Sequence, residues 1–191
     1  MFGDEAARKL VKDYSFNTLL DIGSGPKSAA YSLFTDNGKT VTRQDINPDY
    51  QPDLLGDFNN LATDKLYDCI WCSHVLEHQL NVNHFLTKIF HTLKEGGVLA
   101  ITVPPRKDEI VGGHVTLWNA GLLLYNLILA GFDCKNAAVK SYDYNISVIV
   151  EKKTAILPNL NYDTGDINAL NEFFPLGVYE GFDGNIQELN W

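Results

Sequence analysis

Short apolar runs alternate with amphipathic segments along most of the chain, at the spacings of buried strands and of helices. Strands are predicted at residues 18–22, 39–45, 52–55, 67–72, 98–103, 137–140 and 146–152. Helices are predicted at residues 4–14, 28–34, 82–93 and 116–131, with Thr116 as the N-cap of the last and Gly96-Gly97 ending the one before it. This order predicts an α/β fold: a doubly wound, Rossmann-like sheet of seven strands, mostly parallel, with an antiparallel C-terminal edge hairpin.

Residues 154–191 differ from the rest in composition. They contain six acidic residues and no Lys or Arg, but also Phe173, Phe174, Tyr179, Phe182 and Trp191. A disordered tail would carry fewer aromatic residues. We therefore expect a domain over residues 1–153 and an ordered extension over residues 154–191, which packs on that domain or forms an oligomer contact. Whether the chain forms a homodimer is left open.

Charge and apolar content restrict the class of partner. The chain has 191 residues, 45% of them hydrophobic, and a formal net charge of −9. This balance argues against nucleic acid and against an anionic membrane, so a small-molecule partner is expected. The start, Met1 to Glu5, lacks the basic segment and apolar run of a signal peptide, which favours a cytoplasmic location. The apolar run at residues 122–132 is too short to span a bilayer.

Two motifs contain residue types that bind metal ions. Cys69 and Cys72 lie in a predicted strand, where residues three apart point to opposite faces and cannot share one ion. His74-Val75-Leu76-Glu77-His78 matches His-x-x-Glu-His, which binds zinc when both histidines lie on one helix face and a distant third ligand joins them. Here the motif follows a strand directly. We interpret its histidines as turn and cap residues and Glu77 as a residue near a helix start, and we expect no metal.

Polar residues follow four of the predicted strands, and the carboxyl ends of such strands form the ligand crevice of a doubly wound sheet. After the first strand, the glycines of Gly23-Ser24-Gly25 leave main-chain N–H groups open to a ligand, with a helix start behind them. Asp45, about twenty positions further on, is placed to accept hydrogen bonds from ribose hydroxyls. Asp57 could accept one from an exocyclic amine. Ser73 and His74 follow the fourth strand.

The order of these segments resembles the class I S-adenosylmethionine-dependent methyltransferases, in the form of a small bacterial-type domain. The resemblance covers about residues 18–153. It rests on Leu19 to Gly25, Gln44-Asp45-Ile46, Gly56-Asp57-Phe58, Tyr67 to His78 and Leu93 to Leu99. It implies a methyltransferase domain at residues 1–153, with S-adenosylmethionine as cofactor and S-adenosylhomocysteine as product.

The resemblance also implies which residues hold the cofactor. The methionine part would lie against Asp21, Gly23, Ser24 and Gly25, the ribose against Asp45, the adenine face against Ile46, the adenine edge against Asp57 with Phe58, and the methyl end against Cys72, Ser73 and His74.

Lys27 departs from the family pattern, which often has a third glycine there. Its side chain demands a different turn or projects toward the cofactor carboxylate, and it is the only support for an alternative, a non-catalytic module that binds S-adenosylmethionine. A second alternative is a nicotinamide-dependent oxidoreductase, but the final glycine of its motif is Ser28 here.

Methyl transfer from a sulfonium needs alignment, and a base only when the acceptor is a hydroxyl or a protonated amine. His114, between Gly113 and Val115 in the loop after the fifth strand, is the predicted base because imidazole titrates near neutrality. Asp108 and Glu109 are alternatives. The predicted function is methylation of an O or N nucleophile of a small molecule, a sugar or cell-envelope precursor being the first candidate.

Overall fold

The computed structural model describes residues 3–62 and 64–191, so Met1 and Phe2, which the signal-peptide argument used, lie outside the described residues. The strands are β1 Thr18–Ile22, β2 Thr40–Asp45, β3 Leu54–Leu55, β4 Tyr67–Ser73, β5 Leu93–Val103, β6 Ala138–Tyr142, β7 Asn145–Glu151 and β8 Glu188–Leu189. The helices are α1 Asp4–Asp13, α2 Ala29–Asp36, α3 Val82–Thr92, α4 Ala120–Leu129 and α5 Asp166–Ala169. Short 3₁₀ turns lie at Pro48–Tyr50, Leu76–His78 and Asn171–Phe173.

One sheet contains all of these strands, in the order β3-β2-β1-β4-β5-β7-β6-β8. The first five strands in this order are parallel, and β7 runs antiparallel to β5 and to β6. The predicted Rossmann-like class with an antiparallel edge hairpin is confirmed. The sheet has eight strands in the described chain rather than seven, because β8 adds two residues from the C-terminal extension to the edge of β6.

The two faces of the sheet carry separate hydrophobic clusters. Cys69 lies in the cluster beneath α1 and α2, and Cys72 lies in the larger cluster with α3 and α4. Residues three apart on a strand do point to opposite faces here, as the sequence predicted. Both thiols are free and fully buried, and burial raises their pKa well above the ordinary value.

Helix α4 begins later than the sequence pattern predicted. Asn119, not Thr116, is its N-cap, and its side chain accepts a hydrogen bond from the N–H of Leu122 at 2.8 Å. Thr116 is used elsewhere, because its N–H donates to the carbonyl of Glu77 at 3.2 Å. Within the described chain, no helix is both long enough and apolar enough to cross a membrane.

The prediction that Gly96 and Gly97 end α3 is wrong. The helix ends at Thr92, and β5 begins at the next residue. The glycines instead form an irregularity between the pairs Tyr67↔Leu93 and Cys69↔Val98. A Cβ on Gly97 would lie 2.9 Å from the carbonyl oxygen of Lys94 and 3.0 Å from that of Asp68, so the bulged strand requires glycine there.

The C-terminal extension contributes Leu170, Phe174, Val178 and Ile186 to the larger cluster. It also contacts the start of α4, where the N–H of Gly121 donates to the carbonyl of Gly184 at 2.9 Å. The division into two units at residue 153, and the homodimer, stay predictions.

Candidate functional site

The turn after β1 is tied to the end of β2 by its own N–H groups. Gly23 and Gly25 have φ values of 66° and 56°, which suit glycine, and a Cβ on Gly23 would collide with the side chain of Val75. The N–H of Gly23 donates to Oε1 of Gln44 at 3.3 Å, and that of Gly25 to Oδ2 of Asp45 at 2.7 Å. The sequence predicted that these N–H groups would be open to a ligand. The structure uses them to hold the turn in place.

Arg43, which was not among the predicted site residues, stabilises the same turn by hydrogen bonds to main-chain carbonyls. Its guanidinium is buried and donates to the carbonyls of Gly25 at 2.6 Å, Tyr50 at 2.9 Å and Gln51 at 3.3 Å. A charged residue inside a predicted strand, next to the polar pair Gln44-Asp45, was the available signal, because buried cations need several acceptors.

Asp21 is the buried carboxylate of this turn. With Gly23, Ser24, Trp71 and Ser73 it lines a cavity of about 180 Å³. Burial raises the pKa of Asp21 to about 7, with nearby Arg43 opposing the rise and Asp45 adding to it. The cavity therefore favours a cationic group beside Asp21, because such a group would stabilise the ionised carboxylate.

Residues after β2 and β3 surround the turn on its other side. Asp45 is 7% exposed and accepts hydrogen bonds from the N–H groups of Gly25 and Asn47. Ile46 beside it is 70% exposed, so its apolar side chain is accessible to a flat ring. Asp57 is exposed, whereas the ring of Phe58 is buried edge-on against Phe85. Phe58 can thus offer a ligand only its main chain.

The end of β4 leads from the cavity to a second group of side chains. Cys72 is fully buried in the larger cluster, so its side chain does not line the cavity, whereas Ser73 does. His74 follows with φ 57°, and its Nε2 lies 3.0 Å from Oδ1 of Asn145. That oxygen also accepts the N–H of Gly3 at 3.1 Å, so the Asn145 side chain that contacts His74 is itself held by the residue before α1.

Glu77, His78 and His114 lie together just beyond His74, and we call these three residues the histidine cluster. One ligand atom from each lies within 4.8 Å of the others. Glu77 lies in the first turn of the 3₁₀ helix, near a helix start as predicted, and it is 0% exposed. The ring of His114 packs edge-on against that of His78, with centroids 5.1 Å apart.

A cleft of about 570 Å³ opens between the loop after β5, the β6–β7 hairpin and the C-terminal extension. Its lining is rich in amide, hydroxyl and guanidinium groups, from Arg106, Asn119, Ser141, Tyr142, Asn145 and Gln187. Asn145 belongs both to this cleft and to the contact with His74, so the cleft and the end of β4 are neighbours.

Lys27 is exposed, and its Nζ lies 5.3 Å from the centroid of the Tyr31 ring. The side chain therefore lies along the first turn of α2. A cation–π contact at an exposed site accounts for its position.

Comparison with known proteins shows similarity to one family. The family model described as "Methyltransferase domain" matches residues 3–128. No curated protein matches the sequence.

Solved structures share the fold at low sequence identity. A Burkholderia thailandensis 1,6-didemethyltoxoflavin-N1-methyltransferase, solved with bound 1,6-didemethyltoxoflavin and S-adenosylhomocysteine, is 16% identical with a TM-score of 0.62, covering 78% of this chain and 77% of that one. A SAM-dependent methyltransferase from Archaeoglobus fulgidus is 15% identical with a TM-score of 0.62, covering 78% and 94%. Human N-acetylserotonin methyltransferase, solved with SAM, is 18% identical with a TM-score of 0.60, covering 80% and 53%.

Proposed function

The chain belongs to the methyltransferase domain family, and we propose that it moves the methyl group of S-adenosylmethionine to an oxygen or nitrogen nucleophile of a small molecule. One observation carries the cofactor part of this proposal: a buried carboxylate with a pKa of about 7, Asp21, lies in a cavity beside a glycine turn. S-adenosylmethionine has the two cationic groups, an ammonium and a sulfonium, that such a carboxylate would favour.

The remaining cofactor contacts follow the ends of β2 and β3. In this proposal Asp45 accepts hydrogen bonds from the ribose hydroxyls, because each carboxylate oxygen has a second lone pair beyond the N–H it already accepts. The exposed side chain of Ile46 lies under the adenine, with Asp57 and the main chain of Phe58 at its edge. Asp21, Gly23, Ser24 and Gly25 hold the methionine part, and Ser73 and His74 lie toward the methyl group.

The polar cleft of about 570 Å³ is the proposed acceptor site. Its volume is in the range of small-molecule pockets, and its amide, hydroxyl and guanidinium lining suits a hydroxyl-rich acceptor such as a sugar. An acceptor there would lie next to Asn145 and His74, at the methyl end of the cofactor. The transfer is an in-line displacement, so alignment of acceptor, methyl carbon and sulfur contributes most of the rate. His114 stays the predicted base.

Calorimetry tests the cofactor assignment. We expect S-adenosylhomocysteine to bind at micromolar concentrations and NAD not to bind, whereas the reverse result would favour the oxidoreductase. Asp45→Ala should weaken S-adenosylhomocysteine binding by about 100-fold, since two hydrogen bonds to a charged group are lost. Asp49→Ala removes the same charge from an exposed position four residues away and is the matched control. Equal affinities in the two variants would reject the ribose role.

The acceptor is found by incubating the protein with labelled S-adenosylmethionine and a panel of nucleophilic metabolites, polyhydroxylated compounds first. Arg106→Gln, on the wall of the proposed cleft, should raise the KM for the acceptor and leave S-adenosylhomocysteine affinity unchanged. A change in cofactor affinity alone would place the acceptor elsewhere.

A further inference from the structure

We propose that the histidine cluster, Glu77, His78 and His114, binds a divalent first-row transition-metal ion such as Zn²⁺. The three residues come from a 3₁₀ turn after β4 and from the loop after β5, yet one ligand atom of each lies within 4.8 Å of the other two. Tetrahedral zinc with bonds of ~2.1 Å holds its ligands roughly 3.4 Å apart, so small side-chain rotations complete the site. This proposal reverses the sequence expectation that no metal is bound.

Glu77 provides the main argument. Both of its carboxylate oxygens are buried, and neither has a hydrogen-bond partner among the described residues. Leaving a buried carboxylate without hydrogen bonds is costly, so the site requires a compensating cation. Two histidine nitrogens lie near this carboxylate: Nδ1 of His74, 3.4 Å from Oε1, and Nε2 of His78, 3.8 Å from the same oxygen.

The ring of His78 is oriented as a metal-binding imidazole. Its Nδ1 lies 2.7 Å from the carbonyl oxygen of Gly113, and a carbonyl accepts only, so Nδ1 carries the proton. This assignment leaves the lone pair of neutral His78 on Nε2, the atom that faces Glu77. A ring N–H held by a backbone carbonyl is the usual outer contact of a metal-ligating histidine.

The loop that carries His114 is anchored to the residue that supplies the carboxylate. The N–H groups of Val115 and Thr116 both donate to the main-chain carbonyl of Glu77, at 2.8 and 3.2 Å. The hydroxyl of Thr116 also donates to the carbonyl of Leu76 at 3.2 Å. His114 is therefore held beside the 3₁₀ turn by main-chain contacts, as a preformed site requires.

His74 holds Glu77 from the other side. Oδ1 of Asn145 accepts the N–H of Gly3, so it also acts as acceptor toward Nε2 of His74. In neutral His74 the lone pair of Nδ1 then faces the carboxylate of Glu77. The lone pair and the carboxylate repel each other unless a proton lies between them. A protonated His74 or His78 is thus the competing source of positive charge, and the experiment below separates it from a metal ion.

The donor set indicates both the ion and its use. Two imidazoles and one carboxylate are the ligands of catalytic zinc sites, which keep a fourth position for water or substrate. Resting on the proposed function, we place an acceptor hydroxyl in that position, on the side of the cleft where Arg106 and Trp118 also border the cavity lined by His114. Coordination lowers the hydroxyl pKa and its proton leaves to solvent. The oxygen lone pair then forms the C–O bond as the C–S bond breaks, and the electron pair stays on the sulfur of S-adenosylhomocysteine. His114 is then a ligand rather than the base.

Zinc titration of chelator-treated, tag-free protein without cofactor tests the site. We expect one Zn²⁺ per chain at submicromolar Kd, and a Kd at least tenfold weaker in Glu77→Gln, His78→Asn and His114→Asn. His84→Asn, at an exposed position in α3 outside the histidine cluster, should match wild type. No saturable binding by wild type, or unchanged affinity in His114→Asn, would overturn the proposal and leave protonated histidines as the cation.

Cobalt provides a readout that is independent of activity. Co²⁺ should give the visible absorption bands of a four-coordinate site in wild type, and His114→Asn, a half-buried loop position, should lose them. Bands that persist in this variant would place the ion elsewhere. Zinc binding without S-adenosylhomocysteine binding would refute the proposed function and keep the metal site, whereas the opposite pair of results would do the reverse.

Discussion

Two groups of buried polar residues lie at the same edge of the sheet, and they are satisfied in different ways. The turn network, which consists of Gly23–Gly25 with Arg43, Gln44 and Asp45, supplies most of its partners from within the protein. Arg43 donates to three carbonyls and Asp45 accepts two N–H groups, and of the buried side-chain atoms in this network only the Nε of Arg43 lacks a hydrogen-bond partner among the described residues. In the histidine cluster, the carboxylate of Glu77 accepts no hydrogen bond from the described residues.

The contrast separates a structural network from a binding site. A network in which most polar groups already have partners fixes the backbone, so the ligand meets a shape that is already formed. A buried group without partners raises the free energy of the unliganded protein and lowers it again when a ligand of opposite charge binds. In the proposed function the turn network thus positions the cofactor, and in the proposed metal site the histidine cluster binds a cation.

The largest expected effect follows from removing the cation of the turn network. Arg43→Met keeps the apolar stem but leaves the carbonyls of Gly25, Tyr50 and Gln51 without this donor. We expect the free energy of unfolding in urea to fall by about 3 kcal/mol. Lys12→Met, at an exposed position in α1, is the control and should leave it unchanged. A loss below about 1 kcal/mol would show that the hydrogen bonds within the turn network are not what stabilises the turn.

A second prediction concerns Asp21, the carboxyl group beside the turn. Its burial disfavours the ionised form. If S-adenosylmethionine binds its ionised form, a pKa of about 7 makes the affinity rise by about 25-fold between pH 5.5 and pH 7.5. Calorimetry in buffers of different ionisation enthalpy should also detect a proton released on binding. Asp21→Asn should bind more weakly and without this pH dependence.

Asp21 gives the free energy of unfolding a pH dependence opposite in sign to that of the cofactor affinity. The folded pKa of Asp21 lies above the unfolded value, so the folded protein binds more protons between about pH 4 and pH 7, and Asp21 lowers stability as the pH rises through that window. Asp21→Asn should remove this slope. A pH-independent affinity in wild type would contradict the assignment of a cationic group to the Asp21 cavity.

Sequence periodicity predicted the parallel half of the fold, because strands buried on both faces are continuous apolar runs. It misplaced the start of α4 and the role of Gly96-Gly97, since the partners of these residues, the carbonyls of Glu77, Lys94 and Asp68, are set by tertiary contacts. The common position of Asp21 and Asp45 beside the turn could be predicted, because the carboxyl ends of neighbouring parallel strands share one edge of the sheet. The histidine cluster was not predicted, because the proximity of His114 to His78 depends on the path of one loop.

A third prediction compares two glycines of the same turn. Alanine at either position adopts a φ near 60°, at a cost of about 1 kcal/mol. At Gly23 the new Cβ also collides with Val75, whereas no atom lies within 4 Å of a Cβ at Gly25. Gly23→Ala should therefore destabilise the protein by about 1 to 2 kcal/mol more than Gly25→Ala. Combining Gly23→Ala with Val75→Ala should remove most of the difference, and equal losses in the single variants would show that the turn adapts.

The smallest expected effect tests the contrast directly, because it predicts opposite signs for two removals of a buried charge. In chelator-treated protein, Asp45→Asn loses acceptor capacity toward the N–H groups of Gly25 and Asn47 and should destabilise by about 1 kcal/mol. Glu77→Gln removes an anion that accepts no hydrogen bond from the described chain, so it should be neutral or stabilising by up to about 1 kcal/mol. With saturating zinc, wild type should become more stable than Glu77→Gln, because zinc stabilises only the protein that binds it. If Glu77→Gln instead destabilises the metal-free protein at pH 6 and not at pH 8, a protonated His74 or His78 supplies the charge, and the histidine cluster is then a self-sufficient network like the turn.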